Sequence, residues 1–228
     1  MKRAIGTACL AISLLAGCAG KVAAPEQEAS TSGSEPTVQL PTPDSPAHLV
    51  QMVAAHWNHL DWRGYGNLLT DDFQFIFAQS DSAGSLYRDR SFDRALEILV
   101  ARHMFETGNA SLPPFQRVSV TLGRLIAIPD PRPGKTFPAH QYIRTGFTLA
   151  ADAESFSFRI YGSAGFFVVR GDSAAIPPDL RDRSALTDAS HWWLERWEDE
   201  TLEPVRTPQN AAMPGSPKSL GALKVLYR

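Results

Sequence analysis

From residue 44 onward the apolar positions follow two different periods. Leu49, Val50, Val53, Trp57 and Leu60 recur at the three-and-four spacing of one helix face. Asp44 or Ser45 can cap this helix, Pro46 suits its first position, and it should end near Asp61. Gly64 and Gly66 punctuate a second short helical piece, Tyr65 to Leu69. Phe73, Phe75 and Phe77 then alternate with Gln74 and Ile76, the two-residue period of a strand. After a loop, Ser91 can cap a further helix carrying Phe92, Ala95, Leu96, Leu99, Val100 and His103, which Gly108 and Asn109 stop.

Beyond Asn109 the chain is strand-like almost throughout. Phe115–Ile128 alternates around Val118, Val120, Leu122 and Ile126, and Pro129–Gly134 breaks it. Pro138–Ala150 makes the returning strand. A turn at Ala151–Glu154 leads to a long strand from Ser155 to Arg170, in which Gly162 and Gly165 permit a bend or bulge. Gly171–Asp188 is a loop, and His191–Thr201 is the last clear strand, carrying Trp192, Trp193 and Trp197. Helices first and antiparallel strands afterwards predict an α+β fold, with a strongly curved sheet and about three N-terminal helices on one face.

The first forty residues have a different texture. Lys2 and Arg3 precede an apolar run from Ala4 to Leu15, too short to cross a bilayer and right for a secretory signal. Leu15-Ala16-Gly17-Cys18 resembles the lipobox of bacterial lipoproteins. That resemblance implies cleavage before Cys18 and acyl chains on its thiol and new amino group, enough apolar carbon for stable membrane anchoring. Ala19 in place of Asp, by the same resemblance, favours the periplasmic face of the outer membrane. Residues 19–43, rich in Ala, Ser, Thr, Glu and Pro, read as a disordered tether spanning roughly 25–30 Å root-mean-square. The expected organisation is thus a signal at 1–17, lipidated Cys18 and tether at 18–43, a domain at 44–203, and a Pro/Gly-rich tail at 204–228. Within that tail Leu220–Tyr227 could dock as an extra strand or a turn of helix.

Composition narrows the function further. Hydrophobic residues make up 43% of the 228, enough for a real core. Loss of residues 1–17 removes Lys2 and Arg3 and takes the net charge from −2 to −4. No basic stripe remains to track phosphates, so nucleic acid is not an expected partner. Both cysteines, Cys9 and Cys18, precede the domain, which therefore has neither disulfide nor thiolate chemistry. Neither a Gly-rich phosphate loop nor a Gly-x-Ser-x-Gly elbow occurs, and no cofactor is expected.

The helix around His56-Trp57, the run Gly64-Tyr65-Gly66-Asn67-Leu68-Leu69-Thr70-Asp71-Asp72-Phe73 and the strand Trp192–Glu200 together resemble the NTF2-like (SnoaL-like, ketosteroid-isomerase-like) superfamily over residues 45–203. The resemblance implies a cone whose sheet and helices enclose a pocket, and an open sheet face that can pair two copies into a homodimer. Some members are isomerases, cyclases or dehydratases and many only bind, so the site must decide. In the isomerase-like members an acid and a hydrogen-bond donor such as Tyr share an apolar pocket. The candidates here are Asp71 or Asp72, Tyr65 and His103, none of them in a motif that maps onto a catalytic residue. Matching Trp192-x-Leu194 to the family's pattern implies that Trp192, Leu194 and Arg196 face the concave side with Trp57. Arg196 would then suit an anionic ligand in an otherwise apolar cavity, although tryptophans filling the cone and Arg196 paired with an acid explain the same residues.

The remaining polar candidates carry bland explanations. His56 and His59 share a helix face and could ligate a metal, but no third ligand follows at a telling spacing, and no metal is expected. His140 and His191 begin strands without a pattern. Asp71-Asp72 can satisfy its own turn, and Asn109-Ala110-Ser111 is a sequon of little weight in a bacterial protein. The expectation is a tethered, more binding than catalytic domain for a small apolar or anionic molecule or a protein, with an isomerase or dehydratase and a dimerising module as rivals.

Overall fold

Ser45 starts the first helix: its hydroxyl accepts the amide of His48 at 3.2 Å, and Pro46 occupies the first turn. The computed structural model describes residues 43–78, 91–181, 188–200 and 219–228. Cys18, the signal and nearly all of the tether lie outside the described residues, as do residues 79–90 and the Pro/Gly-rich stretch 204–217. Every described residue belongs to the compact unit Gln39–Arg228.

Helix α1 (Pro46–Asn58) buries Leu49, Val50, Val53, His56 and Trp57. Leu60, expected as the last of that stripe, takes a left-handed φ of 57° as the chain leaves the helix. Asp61 then caps α2 (Trp62–Gly66) by accepting Gly64 N–H at 2.8 Å. Strand β1 (Leu69–Ile76) sends Phe73 and Phe75 into the core, as alternation requires, and buried Phe77 follows it. The next segment departs from expectation. Ser91–Asp93 is a short strand, β2, paired with β1, and Asp93 rather than Ser91 caps α3 (Arg94–Arg102). A wider turn, His103–Thr107, continues α3.

The buried face of α3 is also rotated. Ala95 and Leu99 are exposed, while Glu97, Val100, Ala101 and Met104 point inward. Pairing of β2 with β1 pins the start of the helix, and interior partners for Glu97 make burial of a carboxylate tolerable.

Strand β3 (Arg117–Leu122) ends at Gly123, whose amide donates to Gly146 O at 2.9 Å. The chain rejoins the sheet as β4 (Ala127–Pro129), so the single long strand expected over Phe115–Ile128 is two, and Ile126 between them is 51% exposed. Strands β5 (His140–Asp152) and β6 (Ser157–Arg170) pair without a break from His140↔Val169 to Asp152↔Ser157. Strand β7 (Trp192–Asp199) lies between β6 and β1, antiparallel to the first and parallel to the second.

Among the described residues the sheet has seven strands in the order β2-β1-β7-β6-β5-β3, with β4 also on β5. The architecture is α+β with helices against a curved sheet, as expected, but the sheet is mixed because β1 returns parallel to β7. One helix, α1, reaches β3, β5 and β7, so the sheet wraps around it. Residues 219–228 are not all tail: α4 (Leu220–Leu226), capped by Ser219, buries Leu220, Leu223 and Lys224, and Tyr227 follows them inward. The docked alternative for Leu220–Tyr227 is the one found, because that stretch supplies an apolar face that closes the core. No helix among the described residues is long and apolar enough to cross a membrane.

Candidate functional site

The interior between helices and sheet is packed with rings. Trp57 meets Tyr65, Phe105 and Trp197 at centroid distances of 5.9, 5.2 and 5.5 Å. Phe75, Phe147 and Phe166 surround Trp197 at 5.9, 5.8 and 5.0 Å. These separations are those of favourable edge and tilted ring pairs.

Inside this aromatic volume sits a charged cluster that joins three elements distant in sequence. Tyr65 from α2 donates its hydroxyl to Glu97 Oε1 of α3 at 2.7 Å, and Lys224 from α4 donates to the same oxygen at 2.5 Å. Lys224 and Glu97 are each 1% exposed. The ammonium nitrogen lies 3.5 Å from the ring centre of Phe75, 4.6 Å from Trp197 and 5.5 Å from Trp57, so three aromatic faces replace part of its hydration. Both donors converge on Oε1, leaving buried Glu97 Oε2 without a hydrogen-bond partner among the described residues, as is Trp197 Nε1. Asp199 at the end of β7 accepts Gly221 N–H at 2.7 Å and fixes the first turn of α4 beside this cluster.

The electrostatics follow from burial. Desolvation, then the charge and hydrogen bond of Glu97, pushes the Tyr65 hydroxyl well above its ordinary value near 10. Desolvation pulls the Lys224 ammonium down from 10.5, against the opposing pull of Glu97 and Asp199. The arrangement can hold a cation among rings and carboxylates. It also contains the tyrosine–acid contact that proton transfer would require, with a lysine on the same oxygen.

The residues singled out from sequence scatter. Tyr65 alone is in the cluster. Asp71 and Asp72 are both exposed on β1, and the Asp71 amide donates to Ala175 O at 2.7 Å. His103 Nδ1 is 2.8 Å from Tyr227 O, where it ties α3 to the end of α4. His56 Nδ1 pairs with Asp61 Oδ2 at 2.9 Å, and His59 Nδ1 lies 2.7 Å from Ala55 O. Among the described residues no three His, Cys, Asp or Glu side chains gather as metal ligands would. Asn109 uses its side chain structurally, accepting the amides of Ser111 and Leu112 and donating to Leu226 O.

Trp57, Trp192 and Leu194 face the main core, but Arg196 does not. Phe167 pairs with Arg196 and Val168 with Leu194, so Glu195 is an extra residue that bulges β7. One inserted residue reverses the alternation beyond it, which puts Trp197 in the core and Arg196 on the opposite face. There Arg196 pairs with Glu198 at 2.5 Å, and its guanidinium lies 5.6 Å from the Phe167 ring. The interior cation expected for an anionic ligand is therefore absent from that position, and Lys224 with its acidic neighbours stands inside instead.

The bulge anchors a second polar group on the outer face. Glu195 receives Lys135 and, at 3.1 Å, Arg132; Arg132 also grips Asp130, whose side chain is fully buried, at 2.6 Å, and covers Phe167 at 4.3 Å. This strap holds the 130–135 turn across β7. Elsewhere on the sheet, a shallow depression of about 310 Å³ lies between β3, β5 and β6, where Gly123, Gly146 and Gly162 leave room beside Thr121 and Tyr161. No ionisable groups converge in it.

Sequence reasoning missed Glu97 and Lys224. Glu97 did leave a signal: it stands at helical spacing with Val100, Ala101 and Met104, an acid inside an apolar stripe. Lys224 stands one position after buried Leu223 in a seven-residue helix, too short for its period to declare a face.

No known family profile matches the sequence, and no curated protein does. Several solved structures are similar to this chain in part. A protein of unknown function from Mycobacterium tuberculosis is 10% identical over 79% of this chain and 80% of its own, with a TM-score of 0.47. A putative scytalone dehydratase from Novosphingobium aromaticivorans is 11% identical over 77% and 90%, also at 0.47. An NTF2-like protein of unknown function in nutrient uptake from Rhodospirillum rubrum is 13% identical over 69% and 98%, at 0.44. At this level of similarity no activity passes from those proteins to this one.

Proposed function

We propose that the chain is a bacterial envelope lipoprotein whose folded domain is a binding module and not an enzyme. Residues 1–17 direct export, acylated Cys18 holds the protein at the periplasmic face of the outer membrane, and residues 19–43 keep the domain close to that surface. The reading of the domain rests on its interior: Trp57, Trp197, Phe75, Phe147 and α4 occupy the volume that a substrate would need. The catalytic candidates support it, since Asp72 faces outward and His103 is spent on a backbone carbonyl.

A catalytic reading draws on one observation, the 2.7 Å contact of Tyr65 with Glu97 in apolar surroundings. Against it, Lys224 donates to the same Oε1 that Tyr65 approaches, so the acid is already engaged by a fixed ammonium. Two measurements test the proposal. Mass analysis of the N-terminal peptide is expected to find a chain starting at acylated Cys18; an unmodified cysteine or a different start removes the anchoring. Incubation with an envelope metabolite extract is expected to show no turnover, and a conversion that disappears in Glu97→Gln overturns the non-catalytic assignment.

A further inference from the structure

We infer that the aromatic interior is a binding site for small organic ammonium compounds, primary or quaternary, and that α4 is a displaceable plug which fills it with the chain's own Lys224. The inference rests on reading the domain as a binding module. The chemistry of the walls selects the ligand. Faces of Phe75, Trp197 and Trp57 lie 3.5–5.5 Å from one nitrogen, which is how an aromatic cage takes a cation. Glu97 Oε1 accepts from that nitrogen at 2.5 Å, and the carboxyl of buried Asp199 lies close enough to act on it as well. With Lys224 withdrawn, Glu97 loses the cation that faces it at 2.5 Å and keeps only the Tyr65 hydroxyl among its hydrogen-bond partners in the described residues, so the ring-lined space it faces attracts a positive charge.

The plug satisfies its site incompletely. Tyr65 and Lys224 both fall on Oε1, while Oε2 of Glu97 is bare among the described residues. An untethered ammonium can centre between both oxygens, whereas Lys224 is held where α4 places it. That helix has seven residues, a length that does not sustain helicity alone, so it stays folded only while docked. Its hydrogen bonds to the rest of the domain lie at its two ends, Asp199 on Gly221 N–H at the start and His103 on Tyr227 O, Asn109 on Leu226 O and Tyr227 O–H on Pro113 O at the other, while Leu220, Leu223 and Tyr227 hold it by burial.

Two arms test this on the intact chain in mild detergent. Lys224→Ala removes the atoms from Cγ to Nζ, which n-propylammonium replaces one for one. Calorimetry is expected to show Lys224→Ala binding n-propylammonium or tetramethylammonium at about millimolar Kd or tighter. Adding Glu97→Gln is expected to weaken that binding about tenfold or more. If Lys224→Ala does not fold, recovery of its near-ultraviolet signal by n-propylammonium, and not by matched KCl, is the equivalent readout. In the wild-type chain, the same amine is expected to speed hydrogen exchange of the 220–226 amides several-fold over KCl, because it competes with Lys224. Absence of binding and of rescue in Lys224→Ala overturns the site; unchanged exchange in the wild type overturns the plug. Either failure leaves the non-catalytic reading standing, since that falls only if a turnover appears.

Discussion

Lys224→Met is the sharpest single test of how this interior is held together. The substitution keeps length and approximate volume but removes the charge that faces Glu97 across 2.5 Å, with both side chains 1% exposed. Glu97 is then a buried carboxylate with one donor, the Tyr65 hydroxyl. Breaking a buried ion pair on one side costs about 3–5 kcal/mol, because the remaining charge can be neither hydrated nor matched. Against a domain stability of about 5–15 kcal/mol that is a large fraction. At about 2–4 °C per kcal/mol for a domain of this size, the melting temperature should fall by about 6–20 °C. The companion variant Tyr65→Phe/Glu97→Met/Lys224→Met replaces the whole cluster with apolar groups. It should recover most of that loss or exceed the wild type by about 1–4 kcal/mol, since neither member of the Glu97–Lys224 pair remains as a desolvated charge. Urea melts followed by circular dichroism and by the fluorescence of Trp57 and Trp197, which neighbour the ammonium, measure both. A single variant costing under about 1 kcal/mol, or a triple variant no better than the single one, would refute a buried, mutually dependent pair.

Other contacts give three more expected outcomes. Gly221→Ala places a Cβ 2.6 Å from Phe77 Cδ1 and should cost about 1–3 kcal/mol through overpacking, measured as a lowered urea midpoint with unchanged slope; no loss would mean that α4 is not seated on Phe77. Arg132→Met strips the partner from Asp130, whose side chain is fully buried, and should cost about 1–3 kcal/mol in the same melt, with Arg132→Lys recovering only part because it cannot bind both carboxylate oxygens. Tyr65, Tyr142 and Tyr227 are held above their ordinary value near 10, burial being the largest cause in each. Absorbance at 295 nm of the folded protein should therefore rise at pH 11 by clearly less than that of the urea-unfolded chain with all five tyrosines free. Groups whose folded values are raised contribute stability that is whole below about pH 10 and is lost as pH climbs beyond it. Equal absorbance in the two states would exclude the buried placements.

The sequence alone determined the local elements wherever one strong rule governed them. Ser45-Pro46 marks the start of α1, and the spacing of Leu49, Val50, Val53 and Trp57 marks its buried face, because capping and a three-and-four period act within a few residues. Phe73, Phe75 and Phe77, and the long hairpin of β5 and β6, were legible for the same reason. The layout of helices followed by strands made an α+β sheet with helices on it the expected fold, and the observed fold is of that kind.

Only the tertiary structure decided which side chains meet. Alternation put Arg196 on one face with Trp192 and Leu194, and the family resemblance implied that this face was the inner one; a single bulged residue, Glu195, set by the pairing with β6, put Trp197 inside instead and left Arg196 paired with Glu198, the acid partner that was the other reading. The stripe of α3 pointed to Leu99 and hid Glu97, because an acid becomes an acceptable core residue only when a distant hydroxyl and ammonium come to meet it. Lys224, 127 positions away from Glu97, carries no local mark of that role. Periodicity reports the environment of one segment at a time, whereas a buried charge is stable only through partners that long-range packing supplies.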